Sequence, residues 1–515
     1  MSTMSRLQTW LLAPAVVGGL MAPLVVQASD LHREEQVISV SQFSDLRPSD
    51  WAFQALSNLI ERYGCVAGYP NGSFAGGRAI SRFEAAALLN ACLERITDVT
   101  DELKRLIQEF EQELAVLKGQ VDGLEVKVAE LEATQFSTTT KLSGLATFVL
   151  GGNAFSGSSN HLMKRSKKDF GATTLSYDLQ LTFDTSFTGK DLLRTNLRGG
   201  NFADSSFGGA GPSNLSQLEA AFQQDLGNAD GGDVIAIDRL FYQVPIGEFT
   251  VTLGGRVGQE DMLAIWPSVY PAESILDALT LGGAPAAYNK NLGAGAGLWW
   301  QRNGVAISAN YVAANGDAGN PRKGGMGTAG AGGTGTVQIG YTAEQWGVAA
   351  IYSSIQNANE LIVYATNYTL NSFAVPGSTS ALGLSAYWQP ADSGWLPSVS
   401  AGWGINSSTY DTRNNQGLVS TSQSWSVGLQ WDDAFIQGNV LGFAVGQPTF
   451  ATRLMGGDTP NDGNTVWEWW YKIQLSDNIA VTPALFYLSR PLGGDTPEGK
   501  SLRQFGGLIK TSFSF

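Results

Sequence analysis

Apolar and polar residues alternate with a period of two from Ser137 to the C-terminus, and the segment that begins at Thr465 shows the pattern well. One of its faces carries Trp467, Trp469, Tyr471, Ile473 and Leu475, and the other carries Glu468, Trp470, Lys472 and Gln474. Because successive side chains of a β-strand point to opposite faces, the pattern predicts strands with one apolar and one polar surface. A soluble β-sandwich alternates in the same way, so a second observation is needed.

The connections between these strands alternate in length. Short turns such as 246–248 and 476–478 alternate with long polar or Gly-rich loops such as 204–232 and 258–292. Short turns at one rim and long loops at the other are typical of outer-membrane barrels. The segments between them predict a mainly β domain over residues 137–515, a 16-stranded antiparallel transmembrane β-barrel. An additional hairpin at 361–375 would make the number eighteen.

The chain ends in the segment GLIKTSFSF, which places Ile509, Phe513 and Phe515 on one apolar face. This ending resembles the terminal-strand signal that outer-membrane barrels present to their insertion machinery, and the resemblance implies Phe513 and Phe515 as recognised residues. An ordinary edge strand that ends in Phe by chance is the alternative. A closed barrel satisfies its backbone polar groups in lipid, and sixteen strands leave a water-filled lumen. The predicted function is therefore passage of solutes and not catalysis.

Residues 97–136 precede the barrel and follow a different period. Apolar residues recur at 103, 110, 117, 124 and 131, and a second series recurs at 107, 114, 121 and 128. Alternating gaps of four and three residues form the heptad seam of a coiled coil. We therefore predict a self-associating coiled-coil stalk, with an amphipathic helix packed against its own domain as the alternative.

The first 28 residues have the features of a secretory signal peptide. Arg6 supplies a positive charge, residues 10–26 are mostly apolar, and small residues precede a cleavage site after Ala28. A membrane anchor is the alternative. Export would bring the two cysteines, Cys65 and Cys92, into an oxidising compartment, which makes them a disulfide candidate. Two buried free thiols are the alternative.

Residues 29–96 form a module with two predicted helices. The first helix has Trp51 on its apolar face, and a turn-rich loop follows from Gly68 to Phe74. The second helix begins at Ser81, and Glu84 completes a capping box.

Four features of this module occur in the order found in an S-layer homology domain. They are an F-x-D start at Phe43, the Trp51-Ala52 pair, the GYPNGSF loop and the SRFE sequence at Ser81. The module therefore resembles one S-layer homology domain, which implies binding to a peptidoglycan-linked polysaccharide. The resemblance assigns this binding to Trp51, Gly68, Arg82 and Glu84, with Arg82 pairing with an anionic sugar substituent and Trp51 packing against the sugar. A core Trp51 and a surface Arg82 are the alternative.

Composition and charge exclude other classes of protein. The 515 residues include 62 Gly, 14 Trp and 24 Phe, only 15% are charged, and the mean hydropathy is -0.05. Repeated membrane-spanning helices would raise the mean hydropathy, and a disordered chain would be poor in aromatic residues. The 46 acidic residues outnumber the 32 basic ones, so no nucleic-acid partner is expected. With two His and two Cys, and no nucleophile, phosphate-loop or dinucleotide motif, we expect no metal, no cofactor and no enzymatic activity.

Few charges lie in the predicted barrel, so those on the polar faces of its strands are candidate pore residues. Alternation places four of them toward the lumen, namely Arg194, Arg198, Arg239 and Arg256. The third long loop opens with Glu260 and Asp261, and in trimeric porins this loop folds into the lumen. Acidic loop residues that face basic wall residues would create a transverse field at a constriction. Each Arg is alternatively a wall residue far from the narrowest point.

The order of signal peptide, S-layer homology domain, coiled coil and barrel resembles the major outer-membrane porins of cyanobacteria. Their barrels belong with the OprB-type carbohydrate-selective porins, and some relatives are described as iron-uptake porins. The resemblance implies a homotrimer in outer-membrane lipid, with its N-terminal domains in the periplasm and bound to peptidoglycan. The expected function is passive diffusion of inorganic ions and small hydrophilic solutes. A carbohydrate-selective channel and a mainly structural membrane-to-wall tether are the alternatives.

Overall fold

The computed structural model describes residues 139–209, 211–224, 231–271, 275–359, 361–392 and 394–515. The predicted signal peptide, S-layer homology domain and coiled coil lie outside these residues, as do Trp51, Gly68, Arg82, Glu84, Cys65 and Cys92. Across the described ranges, no helix combines the length and apolar character needed to cross a membrane.

Sixteen antiparallel strands form one closed barrel, in which each strand pairs with its neighbours along the chain and β1 pairs with β16. The strands are β1 (Thr140–Ser156), β2 (Thr174–Thr185), β3 (Leu192–Gly200), β4 (Ala236–Ile246), β5 (Phe249–Gly258), β6 (Leu292–Arg302), β7 (Val305–Ala313), β8 (Gly333–Thr342), β9 (Trp346–Gln356), β10 (Gly377–Trp388), β11 (Ser398–Tyr410), β12 (Val419–Asp432), β13 (Val440–Leu454), β14 (Thr465–Ser476), β15 (Ile479–Ser489) and β16 (Arg503–Ser514). Two helices, α1 (Asn160–Phe170) and α2 (Asn367–Phe373), lie in loops. The predicted 16-stranded barrel is confirmed.

The segment 361–375 does not form the additional hairpin. Its second half is helix α2, whose first turn is capped by Thr366, the side chain of which accepts a hydrogen bond from the Thr369 amide. Leu361 and Ile362 are buried in the main apolar cluster. The apolar run that resembles a strand is therefore buried by packing inside the barrel and not by pairing in the sheet.

The two faces of the sheet differ as the alternation predicts. Outward residues such as Leu150, Leu253 and Ile339 are about half exposed, because nothing in the protein covers them. Inward residues such as Thr252, Ser308 and Asn406 are buried. An apolar outer wall with a polar inner wall is the arrangement that lipid outside and water inside require.

The barrel closes between β1 and β16. The Phe515 amide donates to the Gly144 carbonyl at 3.0 Å, and the Gly144 amide donates back at 2.6 Å. The ring of Phe515 lies only 2.3 Å from where a Cβ of residue 144 would stand, so Gly144 leaves room for the ring in this position. Phe513 and Phe515 both lie on the outer surface. Their role as an insertion signal stays a prediction.

The connections alternate in length around the two rims. Turns of two residues follow β4, β6 and β14, whereas residues 201–235, 259–291 and 357–376 form long loops after β3, β5 and β9. In outer-membrane barrels the long loops lie on the extracellular side and the short turns on the periplasmic side. The N-terminal end of β1 is on the short-turn rim, beside the end of β16.

The main apolar cluster lies inside the barrel and is formed largely by loops. Phe207 and Leu215 come from the loop 201–235, Tyr288 from the loop 259–291, and Leu361 from the loop 357–376. These residues pack against wall residues, as in the edge-to-face pair of Phe207 and Phe486 with ring centres 6.1 Å apart. Three long loops therefore occupy much of the lumen.

Candidate pore and constriction

The loop 259–291, here called the lumen loop, lies directly on the inner wall. Glycines of the wall make this contact possible, because a Cβ on Gly402 would stand 1.8 Å from the Gly282 carbonyl oxygen. A Cβ on Gly428 would likewise stand 2.5 Å from the ring of Tyr270. We call the wall glycines that meet this loop the glycine track; it comprises Gly297, Gly340, Gly383, Gly402, Gly404, Gly428 and Gly446. The third long loop thus folds into the lumen.

The lumen loop begins at a cluster of charges around Arg239. The guanidinium donates to Asp261 Oδ2 at 2.6 Å, to Glu260 Oε1 at 2.8 Å and to Asp238 Oδ2 at 3.0 Å. Arg239 is only 1% exposed, and a charge this deeply buried requires such partners. Burial raises the pKa of the Glu260 carboxyl to about 7, with Arg239 opposing the rise and Asp261 adding to it.

These contacts differ from the expected transverse field. Glu260 and Asp261 touch Arg239 directly, so no water-filled gap separates the acidic loop from this basic wall residue. The physical reason is the packing of the lumen loop on the wall, which removes water and makes a direct ion pair the favourable state for buried charges. The cluster therefore anchors the loop at this point.

Arg194 and Arg198 point into the lumen, as predicted, but each pairs with a carboxylate on the neighbouring strand. Two nitrogens of Arg194 donate to Asp184, both at 2.8 Å. Arg198 donates to Asp178 at 2.6 and 3.0 Å, and its guanidinium lies 4.9 Å from the ring centre of Phe222. Neither aspartate was among the predicted pore residues, although the alternation of β2 places both on the lumen side.

The predicted position of Arg256 is wrong. Gly254 of β5 pairs with Phe241 of β4, but the next pair along the strands is Arg256 with Leu240, so the register of β5 shifts by one residue. The side chain of Leu240 is exposed on the outer wall. Paired residues of antiparallel strands share a face, so Arg256 is aligned with the outer surface and not with Thr252. A bulge adds one residue to the strand and reverses the alternation beyond it.

A glutamate on the opposite wall holds the middle of the lumen loop. Glu468 on β14 accepts hydrogen bonds from the Tyr270 hydroxyl and from the Leu276 amide, both at 2.6 Å. The indole of Trp470 donates to the same hydroxyl at 2.7 Å. Glu468 was assigned to the polar face of its strand but was not chosen as a site residue, and its complete burial could not be read from the alternation.

Polar contacts also join the lumen loop to the other loops. Lys290 donates to Asp277 Oδ1 at 2.9 Å, and Tyr364 of the loop 357–376 donates to Asp277 Oδ2. Burial alone would favour the neutral carboxyl, but Lys290 and these hydrogen bonds keep the pKa of Asp277 below its usual value. Asn214 of the loop 201–235 donates to the Val363 carbonyl. The three loops are thus tied to one another inside the barrel.

Uncharged polar groups supply most of the remaining inner wall. Gln259 at the start of the lumen loop donates to the hydroxyls of Thr336 and Ser353 at 2.7 and 3.1 Å. The amide oxygens of Asn196, Asn310 and Gln504 are buried, and no hydrogen-bond donor reaches them from the described residues. Within those same residues, no group of three or more His, Cys, Asp or Glu side chains is arranged to hold a metal ion.

A closed barrel with an apolar outside, a polar inside and a loop folded into its lumen is the architecture of an outer-membrane porin. Comparison with known families agrees with this class. The family described as "Carbohydrate-selective porin, OprB family" matches residues 100–502, and the S-layer homology domain matches residues 42–86. The chain belongs to the OprB family of porins and carries an S-layer homology domain. The barrel places it in the outer membrane and in a class of proteins that are channels and not enzymes.

Two relatives match nearly the whole chain, and a third matches about a fifth of it. The uncharacterized protein alr4550 of Nostoc sp. is 33% identical over 94% of this chain and 86% of its own length. The uncharacterized protein sll0772 of Synechocystis sp. is 31% identical over 93% of this chain and 91% of its own length. The outer membrane protein SlpA of Deinococcus radiodurans is 33% identical over 104 residues, which are 19% of this chain and 9% of SlpA. The resemblance to cyanobacterial porins is confirmed.

Similar barrels are found among solved structures. The high-pH structure of OprB from Pseudomonas putida covers 75% of this chain and 96% of its own, with 12% identity and a TM-score of 0.46. The trimer form of OmpT from Vibrio cholerae covers 73% of this chain and all of its own, with 10% identity and a TM-score of 0.43.

Proposed function

We propose that the protein is a passive pore for inorganic ions and small hydrophilic solutes. The observation that carries the proposal is the inner wall, where hydroxyl, amide and paired charged groups face a lumen loop fixed at Arg239 and Glu468. Polar groups of this kind replace part of the hydration shell of a solute without binding it strongly.

The loops limit the size of the solutes. Wall residues such as Ser308, Gln338 and Asn406 are at most 2% exposed, although they point toward the barrel axis. A 16-stranded barrel with an empty lumen would leave such residues in contact with water. We therefore expect a narrow path that admits ions and small solutes and excludes oligosaccharides.

The proposal includes anchoring to the cell wall. On the resemblance to S-layer homology domains, Trp51, Gly68, Arg82 and Glu84 would bind peptidoglycan-linked polysaccharide in the periplasm. A single domain binds weakly, so a homotrimer joined by the coiled coil at 97–136 would supply the necessary avidity. Phe513 and Phe515 would be recognised by the insertion machinery. A Cys65–Cys92 disulfide would stabilise the S-layer homology domain.

Solute flux into liposomes containing the purified full chain tests the proposal. We expect rapid equilibration of ions and small sugars and a sharp fall in rate with solute size. Folded protein that leaves the liposomes as tight as protein-free controls would contradict the proposal.

A carbohydrate-selective channel is the second candidate. It is favoured by the family description. In that case sugars would block the ion current saturably. Ion current that sugars leave unchanged would reject this candidate.

A mainly structural tether is the third candidate, favoured by the three loops that occupy the lumen. It predicts that deletion of residues 42–96 detaches the outer membrane from the wall. It also predicts that solute uptake is the same in cells with and without the barrel. Loss of uptake on removal of the whole protein, but not on removal of residues 42–96, would support the pore instead.

A further inference from the structure

Helix α1 at the extracellular rim is strongly basic on its exposed side. His161, Lys164, Arg165 and Lys168 follow one another at the spacing of one helix face and are exposed, and Lys167 is exposed beside them. The opposite side, with Leu162, Met163 and the buried Ser166, faces the protein. A chain with a net charge of -14 thus concentrates positive charge on one short helix.

The basic side continues onto the neighbouring loop. The Ser159 amide, at the start of α1, donates to the Ser501 carbonyl at 3.1 Å, and the side chains of Ser158 and Ser501 lie 3.3 Å apart. This contact fixes Lys500 and Arg503, both exposed, next to the helix. We call Lys164, Arg165, Lys167, Lys168, Lys500 and Arg503 the basic rim. Two exposed carboxylates, Asp169 at 3.7 Å from Arg165 and Glu498 in the loop of Lys500, offset part of this charge and leave four net positive charges.

The basic rim lies directly above the apolar wall of the barrel. Arg503 occupies the outward face of β16, followed on the same face by Phe505, Ile509 and Phe513. Same-face neighbours in a strand are about 7 Å apart, so Arg503 stands one step above the last exposed aromatic ring. Charged groups at that height meet the headgroups of the outer leaflet, while Phe505 and Ile509 meet acyl chains.

We propose that the basic rim binds the phosphate groups of an anionic lipid of the outer leaflet. Six Lys and Arg residues on one exposed surface match a headgroup that carries more than one negative charge. The apolar wall directly below favours a lipid over a soluble anion, because a soluble anion gains nothing from contact with Phe505 and Ile509. The inference needs the barrel to lie in the outer membrane but does not depend on its conductance.

Binding of lipid A to the purified full chain in nanodiscs tests the proposal, with dephosphorylated lipid A as the matched ligand. We expect the wild-type protein to prefer the phosphorylated form, and the variant K164Q/R165Q/K167Q/K168Q to bind it at least about tenfold more weakly. Glutamine keeps the helix propensity close to that of Lys and Arg. Added salt is expected to weaken the wild-type binding more than that of the variant.

A second set of substitutions controls for net charge. Arg322, Lys323 and Arg413 are exposed on other extracellular loops, and Arg453 is exposed at the extracellular end of β13. The variant R322Q/K323Q/R413Q/R453Q therefore removes equal charge elsewhere on the same rim. We expect this control to bind lipid A as the wild type does. If both quadruple variants lose binding equally, or if wild type ignores the phosphates, the proposal is wrong.

Two further outcomes assign the surface to another partner and overturn the proposal. If soluble dextran sulfate displaces lipid A from the basic rim completely and binds with the affinity of a specific ligand, the ligand of the rim is an anionic polysaccharide. Efficient crosslinking between two copies of the chain through R503C would identify the face as a subunit contact. The double variant K500Q/R503Q leaves helix α1 intact and is expected to weaken lipid A binding even if the quadruple variant folds poorly.

Discussion

Arg239 shows at the scale of one residue how the lumen loop is held. Its guanidinium neutralises carboxylates from both the wall and the loop while being almost completely buried. Removal of its charge would leave Asp238, Glu260 and Asp261 buried together without a counter-charge. Breaking a buried pair in this way costs about 3–5 kcal/mol.

We therefore expect R239Q to lower the thermal stability of the barrel markedly and to make the remaining pore more cation-selective. Thermal unfolding and reversal potentials measure these effects. The matched control is R302Q, since Arg302 pairs with Glu248 at 2.9 Å but both side chains are more than 60% exposed. An exposed pair contributes at most about 1 kcal/mol, so equal losses in the two variants would refute the anchoring role of Arg239.

Glu260 makes the same cluster sensitive to pH. Because burial raises the pKa of its carboxyl to about 7, the group is neutral below that pH and negative above it. Raising the pH through 7 should therefore add one negative charge beside the lumen and increase the preference for cations. Reversal potentials measured on both sides of this pH check the change, and E260Q should abolish it. A transition that persists in E260Q would assign the effect to another group.

Single residues also mark the limit of what the sequence predicts. Alternation correctly placed Arg194, Arg198 and Arg239 toward the lumen, although an irregularity in β4 also places Asp238, the residue next to Arg239, in a buried position. It failed for Arg256, since a bulge in β5 leaves no reliable trace in the local sequence. The roles of Glu468 and Asp277 depend on loop packing between residues far apart in the chain, which periodicity does not report.

At the scale of elements, the lumen loop and the glycine track fit one another. Gly402 of β11 meets the backbone of Gly282, and no side chain fits between them. We expect G402A to push the loop off the wall, to cost about 1–3 kcal/mol of stability and to alter single-channel conductance. Gly255 of β5 has no heavy atom within 4 Å of the corresponding Cβ position and is the control. Indistinguishable conductance in G402A and G255A would contradict this role of the track.

The segment 361–375 is the reason why the sequence alone left sixteen and eighteen strands as alternatives. The segment 361–375 is as apolar as a strand, but its residues satisfy their backbone in α2 and in a single bridge between Ala365 and Thr449. Short apolar runs do not distinguish a strand from a buried helix. The closed ring of sixteen strands resolves the question, because every strand in it pairs with two neighbours and no backbone edge is left without hydrogen bonds in the lipid.

At the scale of the whole molecule, the composition divides between two environments. The low charge content and the abundance of Gly and aromatic residues belong to a wall that faces lipid outside and packed loops inside. Period and loop length were sufficient to predict this architecture, because lipid imposes strong constraints on each strand. They could not show how far the loops fill the lumen, since loop packing follows from contacts such as Phe207 with Phe486 that join distant parts of the chain.

Single-channel recording in planar lipid bilayers tests the central claim most directly. The purified, folded full chain should produce stepwise and lasting increases in current, small for a 16-stranded barrel because the three loops narrow the lumen. In a homotrimer these steps should group in threes. Folded protein that inserts into the bilayer but carries no current at any voltage would contradict the proposed pore.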